Sequence, residues 1–374
     1  MFPKERRICS RCVMDESASA ITFDDAGVCN YCTYFQQRVN GVVFAPEQER
    51  AEQRRAFVEK VKKAGKGKKY DCIIGLSGGV DSSYVLHLAL SEGLRPLAVH
   101  MDNNWNSELA VNNIKNLVTR LGVDLYTHVI DWPEYKGLMQ AFFDADVIDV
   151  ELLYDNAMLA VNYEQARKYG IKYILSGSNA ATEGMPMPEG WNWFKWDKRN
   201  IKAIGQRNGV KVKTFPIIGT LGFGYNRVFR RIQWVPFLDF YDYQKESALE
   251  QLECKYAYKR YPYKHYESIF TRFYQGFILP EKFSVDKRKL HFSTLIMSGQ
   301  MTREQAVSLL CESPYVSFEE LERDRKYFIK KMGWAAGDLE AYLRRPEKSH
   351  DAYPSERILW DFIRKIYHYK QGIS

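Results

Sequence analysis

One stretch constrains this chain more than any other. Asp71-Cys72-Ile73-Ile74-Gly75-Leu76 is a short apolar run that runs directly into Ser77-Gly78-Gly79-Val80-Asp81-Ser82-Ser83. The run predicts a buried parallel strand. The apolar periodicity from Val80 to about Leu90, closed by Gly93, predicts a helix. Strand, glycine turn and helix N-terminus make an anion site, because unpaired N–H groups and the positive dipole end face the turn. Gly78 and Gly79 let backbone approach a phosphate without side chains in the way. Ser77 and Ser82 can add hydroxyl donors. Asp81 would repel a bare phosphate, so it makes sense as the ligand of a bridging Mg²⁺. No G-x-x-x-x-G-K-[ST] occurs, which excludes a Walker loop. An ordinary S-G-G turn is the alternative, and it would need neither the strand, the helix nor Asp81.

The first 32 residues hold four of the seven cysteines, as Cys9-Ser10-Arg11-Cys12 and Cys29-Asn30-Tyr31-Cys32, 16 residues apart. Two C-x2-C knuckles at this spacing predict a structural zinc site, with an iron–sulfur cluster as the alternative. A four-thiolate site is coordinatively closed, so its expected role is folding or docking. Met1 to Arg7 is polar and leads straight into the first knuckle, so no signal peptide is expected and the cytoplasm is the default. No 18-residue apolar run predicts a membrane span. The net charge of +8 over 374 residues suits a polyanionic small substrate or RNA without choosing between them.

Strand and helix then alternate. Residues 95–101, 124–130 and 171–175 predict further strands, with helices over about 107–121 and in two stretches between Trp132 and Tyr169. The expected fold is α/β, a doubly wound parallel sheet with an N-terminal zinc-binding module (1–45), a nucleotide domain (46–250) and a mainly helical substrate-binding or cap region (251–374). Ligands bind beyond the carboxyl ends of such strands, so Ser77, Asp102 and Ser176 should converge on one crevice. Glu183 is a candidate second Mg²⁺ ligand or base, against the alternative of a surface glutamate. The aromatic stretch Trp191 to Asp197 predicts a packed lid or a sugar-stacking face.

From Lys264 onward, Tyr266, Phe270, Phe273 and Phe277 recur at helical spacing and predict a core stripe. The polar residues His265, Ser268, Arg272 and Gln275 recur on an adjacent face, with Lys264, Glu267 and Thr271 beside them. Lys287, Arg288, Lys289 and His291 follow, then Ser298-Gly299-Gln300. So many donors beside a core stripe predict either an anionic, hydroxyl-rich ligand or a solvated face.

The Ser77 loop resembles that of the PP-loop ATP pyrophosphatases, which include GMP, asparagine and NAD synthetases and the tRNA thiolases. That resemblance implies cleavage of ATP between its α and β phosphates. It assigns ATP binding to Ser77, Gly78, Gly79, Asp81 and Ser82, with Asp102 at the second strand's polar end. It further implies adenine reading near Met101 and closure over the nucleotide at Gly177, with Asn179 nearby. The double knuckle, the loop, Lys264-His265, Glu267-Ser268, Thr271-Arg272-Phe273, Leu279-Pro280, Lys282-Phe283, Asp286-Lys287-Arg288 and Ser298-Gly299-Gln300 together resemble the N-acetyl sugar amidotransferases of lipopolysaccharide O-antigen and pseudaminic-type pathways. The match runs nearly the whole chain in order.

This resemblance implies conversion of a sugar acetamido group to acetamidino through an adenylated intermediate and ammonia. The catalytic residues expected are Asp81, Ser77, Lys264 and Arg272, with substrate held by His265, Glu267, Ser268, Gln275, Lys287, Arg288 and His291. Residue 2 is Phe and no G-x-C-x-G elbow occurs, so no glutaminase nucleophile is recognised. The resemblance supplies a separate glutaminase and a cyclase-like barrel subunit as partners. No nucleic acid and no membrane partner is expected. The rival is a tRNA thiolase, but no cysteine lies between Cys72 and Cys254 to carry sulfur.

Overall fold

The computed structural model describes residues 6–262 and 266–371. Lys264 and His265 lie outside the described residues. Five parallel strands form one sheet in the order β3-β2-β1-β4-β5. They are β1 (Cys72–Gly75), β2 (Pro96–Asp102), β3 (Leu125–Val129), β4 (Tyr173–Ser176) and β5 (Gln233–Pro236). Four coincide with the sequence expectation. β5 was not foreseen, because Gln233-Trp234-Val235-Pro236 is short and shows no clean alternation. Its partner β4 holds it in register, pairing Ile174 with Trp234.

Alternating side chains divide the core in two. Cys72, Ile74, Ala98 and Leu175 face α1 (Glu47–Gly65), α2 (Val80–Ser91) and α3 (Glu108–Leu121). Ile73, Leu97, Val99 and Ile174 face α4 (Trp132–Asp144) and α5 (Leu152–Lys168). Ser107 caps α3 by accepting the Ala110 N–H, and Gly122 closes it at φ +62°. Chain order reverses about β1, which pairs with β2 on one side and β4 on the other. The Ser77 loop follows β1, so it sits at the topological switch point, where such sheets bind ligands.

The C-terminal region docks through backbone. Beyond β2, Asn106 pairs antiparallel with Ser268, the Ser107 N–H donates to the Glu267 carbonyl at 2.9 Å, and the Ile269 N–H donates to the Trp105 carbonyl at 2.9 Å. Trp105 is fully buried against Trp132, Phe270 and Phe328. The aromatic stripe is core at Tyr266, Phe270 and Phe273. It shifts beyond them, because a wide π turn over Tyr274–Ile278 separates α6 (Ile269–Phe273) from α7 (Leu279–Phe283). Tyr274 is buried there, and Phe277 is half-buried.

The aromatic stretch at 191–197 is a packed element. Trp191 and Trp193 are buried, their indoles donating to the Ser17 carbonyl at 3.2 Å and the Asp197 carboxylate at 2.8 Å. Among the described residues no helix is long and apolar enough to cross a membrane.

Candidate active site

The loop after β1 is knotted by its own hydroxyls. Ser77 Oγ and Ser82 Oγ lie 3.1 Å apart, the Gly79 N–H donates to Ser77 Oγ at 3.2 Å, and Ser82 Oγ receives the Ser77 N–H at 3.3 Å. Gly78 adopts φ +87°, a conformation that favours glycine, and a Cβ there would press on Ala110. Its carbonyl oxygen accepts two phenols, Tyr258 at 2.9 Å and Tyr261 at 3.0 Å. Sequence reasoning missed both tyrosines, which offer no motif around them. Gly177 has a steric reason of its own. A Cβ there would lie 2.8 Å from Ser82 N and 3.1 Å from Asp81 Cβ, so glycine lets the end of β4 close on the first turn of α2.

The Asp81 carboxylate accepts the Tyr243 hydroxyl. Burial and the Asp81 and Glu183 carboxylates hold the Tyr243 phenol well above its usual range. Carboxylate oxygens are the ligand type a hard divalent ion takes, and Asp81 and Glu183 are the two carboxylates whose charges reach this phenol. Asp102 is occupied locally. It accepts the Asn104 N–H at 2.8 Å and Asn106 Nδ2 at 3.3 Å. Asn106 also meets His100 Nε2 at 3.1 Å, and His100 Nδ1 lies 2.8 Å from the Leu76 carbonyl, which fixes the Nδ1–H tautomer. Burial lowers the His100 pKa, in keeping with a neutral ring. Met101 keeps its side chain in the core.

A cleft of about 1400 Å³ opens between this loop and the C-terminal region. Ser77 and Glu183 line it together with Glu267, Ser268, Arg272, Gln275, Lys287, Arg288 and His291. Every described substrate-binding residue expected from sequence therefore faces one space. Glu267 stands against the loop, with Oε1 3.6 Å from where a Gly79 Cβ would stand.

The cationic residues are engaged within the protein. Arg272 grips Asp324 with two bonds of 2.5 Å, approaches Glu320 at 3.4 Å and stacks over Tyr266. Arg272, expected from sequence as a catalytic group, lines the cleft with its guanidinium fork engaged by Asp324 and Glu320. Lys287 and Gln275 both hold Glu151, at 3.0 Å and 2.8 Å. Arg288 is bonded to Asp286 and to the Leu309 and Glu312 carbonyls. Ser268 accepts the Thr271 N–H at the start of α6, and His291 Nδ1 lies 3.1 Å from the Thr182 carbonyl.

Sequence reasoning also missed the opposite wall. Glu151, Tyr154 and Asp155 enter the cleft around the first turn of α5. Lys195, from the aromatic stretch, bridges Asp149 at 2.6 Å and Asp155 at 2.9 Å. Burial opposes ionisation of Asp149, but Lys195, Lys287 and the Trp193 N–H prevail and hold its carboxyl below the usual range. The i, i+4 pair Glu151/Asp155 on an apolar helix was the available signal.

At the N-terminus the Sγ atoms of Cys9, Cys12, Cys29 and Cys32 all lie within 4.8 Å of one another. Cys9 and Cys32 are 3.9 Å apart and Cys12 and Cys29 3.7 Å, close to the roughly 3.8 Å edge of a tetrahedron with 2.3 Å Zn–S bonds. The N–H groups of Cys29 and Arg11 point at Cys9 Sγ from 3.2 and 3.4 Å, and such donors favour thiolate. The four residues fit zinc. The module is fastened to the C-terminal region, with Arg303 donating to the Cys9 and Cys12 carbonyls at 3.2 Å and Lys289 paired with Asp15.

The sheet order and the loop after β1 are those of an NAD synthase-like PP-loop fold. The family described as NAD synthase matches residues 51–185, and that described as LPS biosynthesis protein WbpG-like, C-terminal domain, matches residues 267–367. The chain therefore joins a NAD synthase-type PP-loop domain to a WbpG-like lipopolysaccharide-biosynthesis domain, in agreement with its resemblance to the sugar amidotransferases. Among solved structures it is similar to NMN synthetase from Francisella tularensis, at 16% identity, covering 59% of this chain and 99% of that one, with a TM-score of 0.30. It is also similar to the NH3-dependent NAD synthetase from Campylobacter jejuni subsp. jejuni NCTC 11168, at 14% identity, covering 57% and 94%, with a TM-score of 0.30. No curated protein matches the chain.

Proposed function

We propose that this chain is an ATP-dependent, AMP-forming amidotransferase that turns the acetamido group of a nucleotide-linked sugar into acetamidino in the cytoplasm. One observation carries the reading. Glu267, at the start of the WbpG-like segment, stands against the PP-loop, and residues of both segments line a single cleft. A nucleotide held by the loop and a sugar held by the C-terminal wall would meet there.

An acetamide oxygen is a poor leaving group. In the proposed reaction it attacks the α-phosphorus, the bond to the bridging oxygen breaks, and pyrophosphate departs. Ammonia then adds to the imidate carbon, the carbon–oxygen bond breaks, and AMP leaves behind an amidinium. Ser77, Ser82 and the N-terminal N–H groups of α2 receive the charge that grows on pyrophosphate; each such preorganised donor is worth about 10²–10³-fold in rate. Mg²⁺ on Asp81 and Glu183 would share that charge when bound. The Glu151, Gln275 and Lys287 network orients the sugar, so its contribution is positional.

The chain would take ammonia from a separate glutaminase and a cyclase-like barrel subunit. Isolated protein given a diacetamido nucleotide sugar, ATP, Mg²⁺ and ammonium should form AMP and a product lighter by about one mass unit, the exchange of O for NH. Glutamine alone should give none, and the two partners should restore glutamine use. RNA should have little effect at physiological salt. Glutamine-driven turnover by the lone chain would overturn the nitrogen assignment. A requirement for tRNA and a sulfur donor would establish the thiolase instead. Against that rival, Cys72 is buried in β1, and Cys254 and Cys311 lie outside the cleft lining.

A further inference from the structure

The cleft wall around the first turn of α5 sets three carboxylates, Asp149, Glu151 and Asp155, against two ammonium groups, Lys195 and Lys287. One negative charge is left over in this cluster, and the contacts show where it sits. Asp149 is 2% exposed and is engaged by Lys195 at 2.6 Å and by the Trp193 N–H at 2.8 Å. Glu151 is engaged by Lys287 at 3.0 Å and by Gln275 Nε2, which reaches both of its oxygens at 3.0 and 2.8 Å. Among the described residues Asp155 has as ion-pair partner only a share of Lys195, through Oδ2 at 2.9 Å, and its side chain keeps 36% of its surface open where it lines the cleft. Burial and the Asp149 and Glu151 charges hold its carboxyl above the usual range, with Lys195 acting the other way. Two phenols mark the same spot. Tyr135 Oη is buried behind the wall with no hydrogen-bond partner among the described residues, and it faces Tyr154, Glu151 and Asp155. Tyr154, in the cleft lining, is held well above its usual range by burial and by Asp155, Glu267 and Asp102. Its hydroxyl is therefore within reach of the charge on this wall and of Glu267, which stands against the PP-loop.

Resting on the amidotransferase reading, we propose that Asp155 receives the positive charge made in the reaction, its carboxylate pairing with the acetamidinium as ammonia displaces AMP. The charge balance fits this assignment. An acetamido group is neutral, so in the substrate complex the surplus carboxylate has no counterion. An amidinium carries one positive charge over a planar N–C–N fork edged with N–H donors, a shape that a carboxylate binds with two parallel hydrogen bonds. That pairing is absent from the ground state and grows as nitrogen bonds to carbon, so it lowers the barrier instead of tightening substrate binding. Lys195 acts through Asp155 as a positioning residue, anchored on buried Asp149 while it holds the Asp155 Oδ2. The same surplus charge bears on the substrate. It disfavours a sugar carboxylate at this wall, so the substituent turned toward Asp155 is a neutral acetamido group.

The test separates two half-reactions. Single-turnover pyrophosphate release with sugar and ATP but no ammonia reads adenylation, and amidine formed from added ammonium reads the second half. Asp155→Asn keeps the side chain's size and an acceptor for Lys195. It should leave pyrophosphate release within about threefold of wild type while amidine formation falls by about 10²–10³-fold, and Asp155→Glu should recover part of that loss. A merely structural role would slow both halves together. Saturation-transfer NMR gives a second reading that needs no turnover. Acetamidinium should bind the wild-type chain in preference to neutral acetamide, and Asp155→Asn should lose that preference. Amidine formation near the wild-type rate in Asp155→Asn, equal loss in both halves, or acetamidinium bound by wild type no better than acetamide overturns the assignment. If the wild-type chain makes no amidine from ammonium, the amidotransferase reading itself has failed, and the assignment falls with it.

Discussion

The hydroxyl of Tyr258 donates to the carbonyl oxygen of Gly78 at 2.9 Å across 180 residues of chain. Tyr261 donates to the same oxygen at 3.0 Å, so the turn proposed to cradle pyrophosphate is pinned from outside the loop. One phenol is enough to satisfy the carbonyl. Tyr258→Phe or Tyr261→Phe alone should therefore cost under about 1 kcal/mol, and the pair together about 1–3 kcal/mol, because a buried acceptor is then left bare. AMP formation should fall sharply in the double variant alone. A double-mutant cycle read by thermal unfolding and pyrophosphate release checks this, and strictly additive losses would refute it.

Asp81→Asn separates chemistry from folding. Asparagine keeps an acceptor for the Tyr243 hydroxyl and leaves no cavity. The variant should unfold within about 1 kcal/mol of wild type while AMP formation falls by about 10²–10³-fold or more. Normal AMP release from the folded variant would remove Asp81 from the metal site.

The cysteine cluster should hold about one zinc per chain. Because Arg303 is bonded to the Cys9 and Cys12 carbonyls, losing the metal should disturb more than the first 32 residues. Cys29→Ser should increase amide exchange at the knuckles and at the helix Arg303–Cys311. Metal analysis that finds iron with sulfide, or no metal, would overturn the zinc assignment.

His350 makes stability depend on acid. It is 1% exposed, stacked on Trp193 with ring centroids 5.0 Å apart, and its Nδ1 lies 2.7 Å from Asn200 Oδ1. Burial pulls its pKa from 6.5 down to about 4. The unfolded chain therefore takes up this proton first. The contribution is fully present above about pH 6.5 and is lost as pH falls toward 4, a difference of roughly 3 kcal/mol. Urea unfolding across that window should show a shallower pH slope for His350→Gln than for wild type. Parallel slopes would rule the residue out.

Much of the nucleotide half could be read from sequence because its signals are local. Val80 to Ser91 is helical by its own periodicity, and Ser77-Gly78-Gly79 announces a phosphate turn wherever a strand precedes it. The knuckles at Cys9 and Cys29 likewise carry their geometry in their spacing. β5 escaped because four residues hold no period, and its strand character comes from pairing with β4.

The candidate site divides along the same line. Sequence alone determined the groups available: a glycine turn with an adjacent acid at a helix start, four clustered cysteines, and a donor-rich segment from Glu267 to His291. It could not say which donors are already used. Arg272 and Lys287 look alike as cations, and tertiary structure alone assigns one to Asp324 and Glu320 and the other to Glu151. Nor does any local pattern bring Tyr258 to Gly78, Glu151 opposite Ser77, or Lys195 between Asp149 and Asp155. Periodicity and spacing are properties of neighbours along the chain. Hydrogen-bond commitment and cavity walls arise when residues distant in sequence are packed together, and only the folded chain decides them.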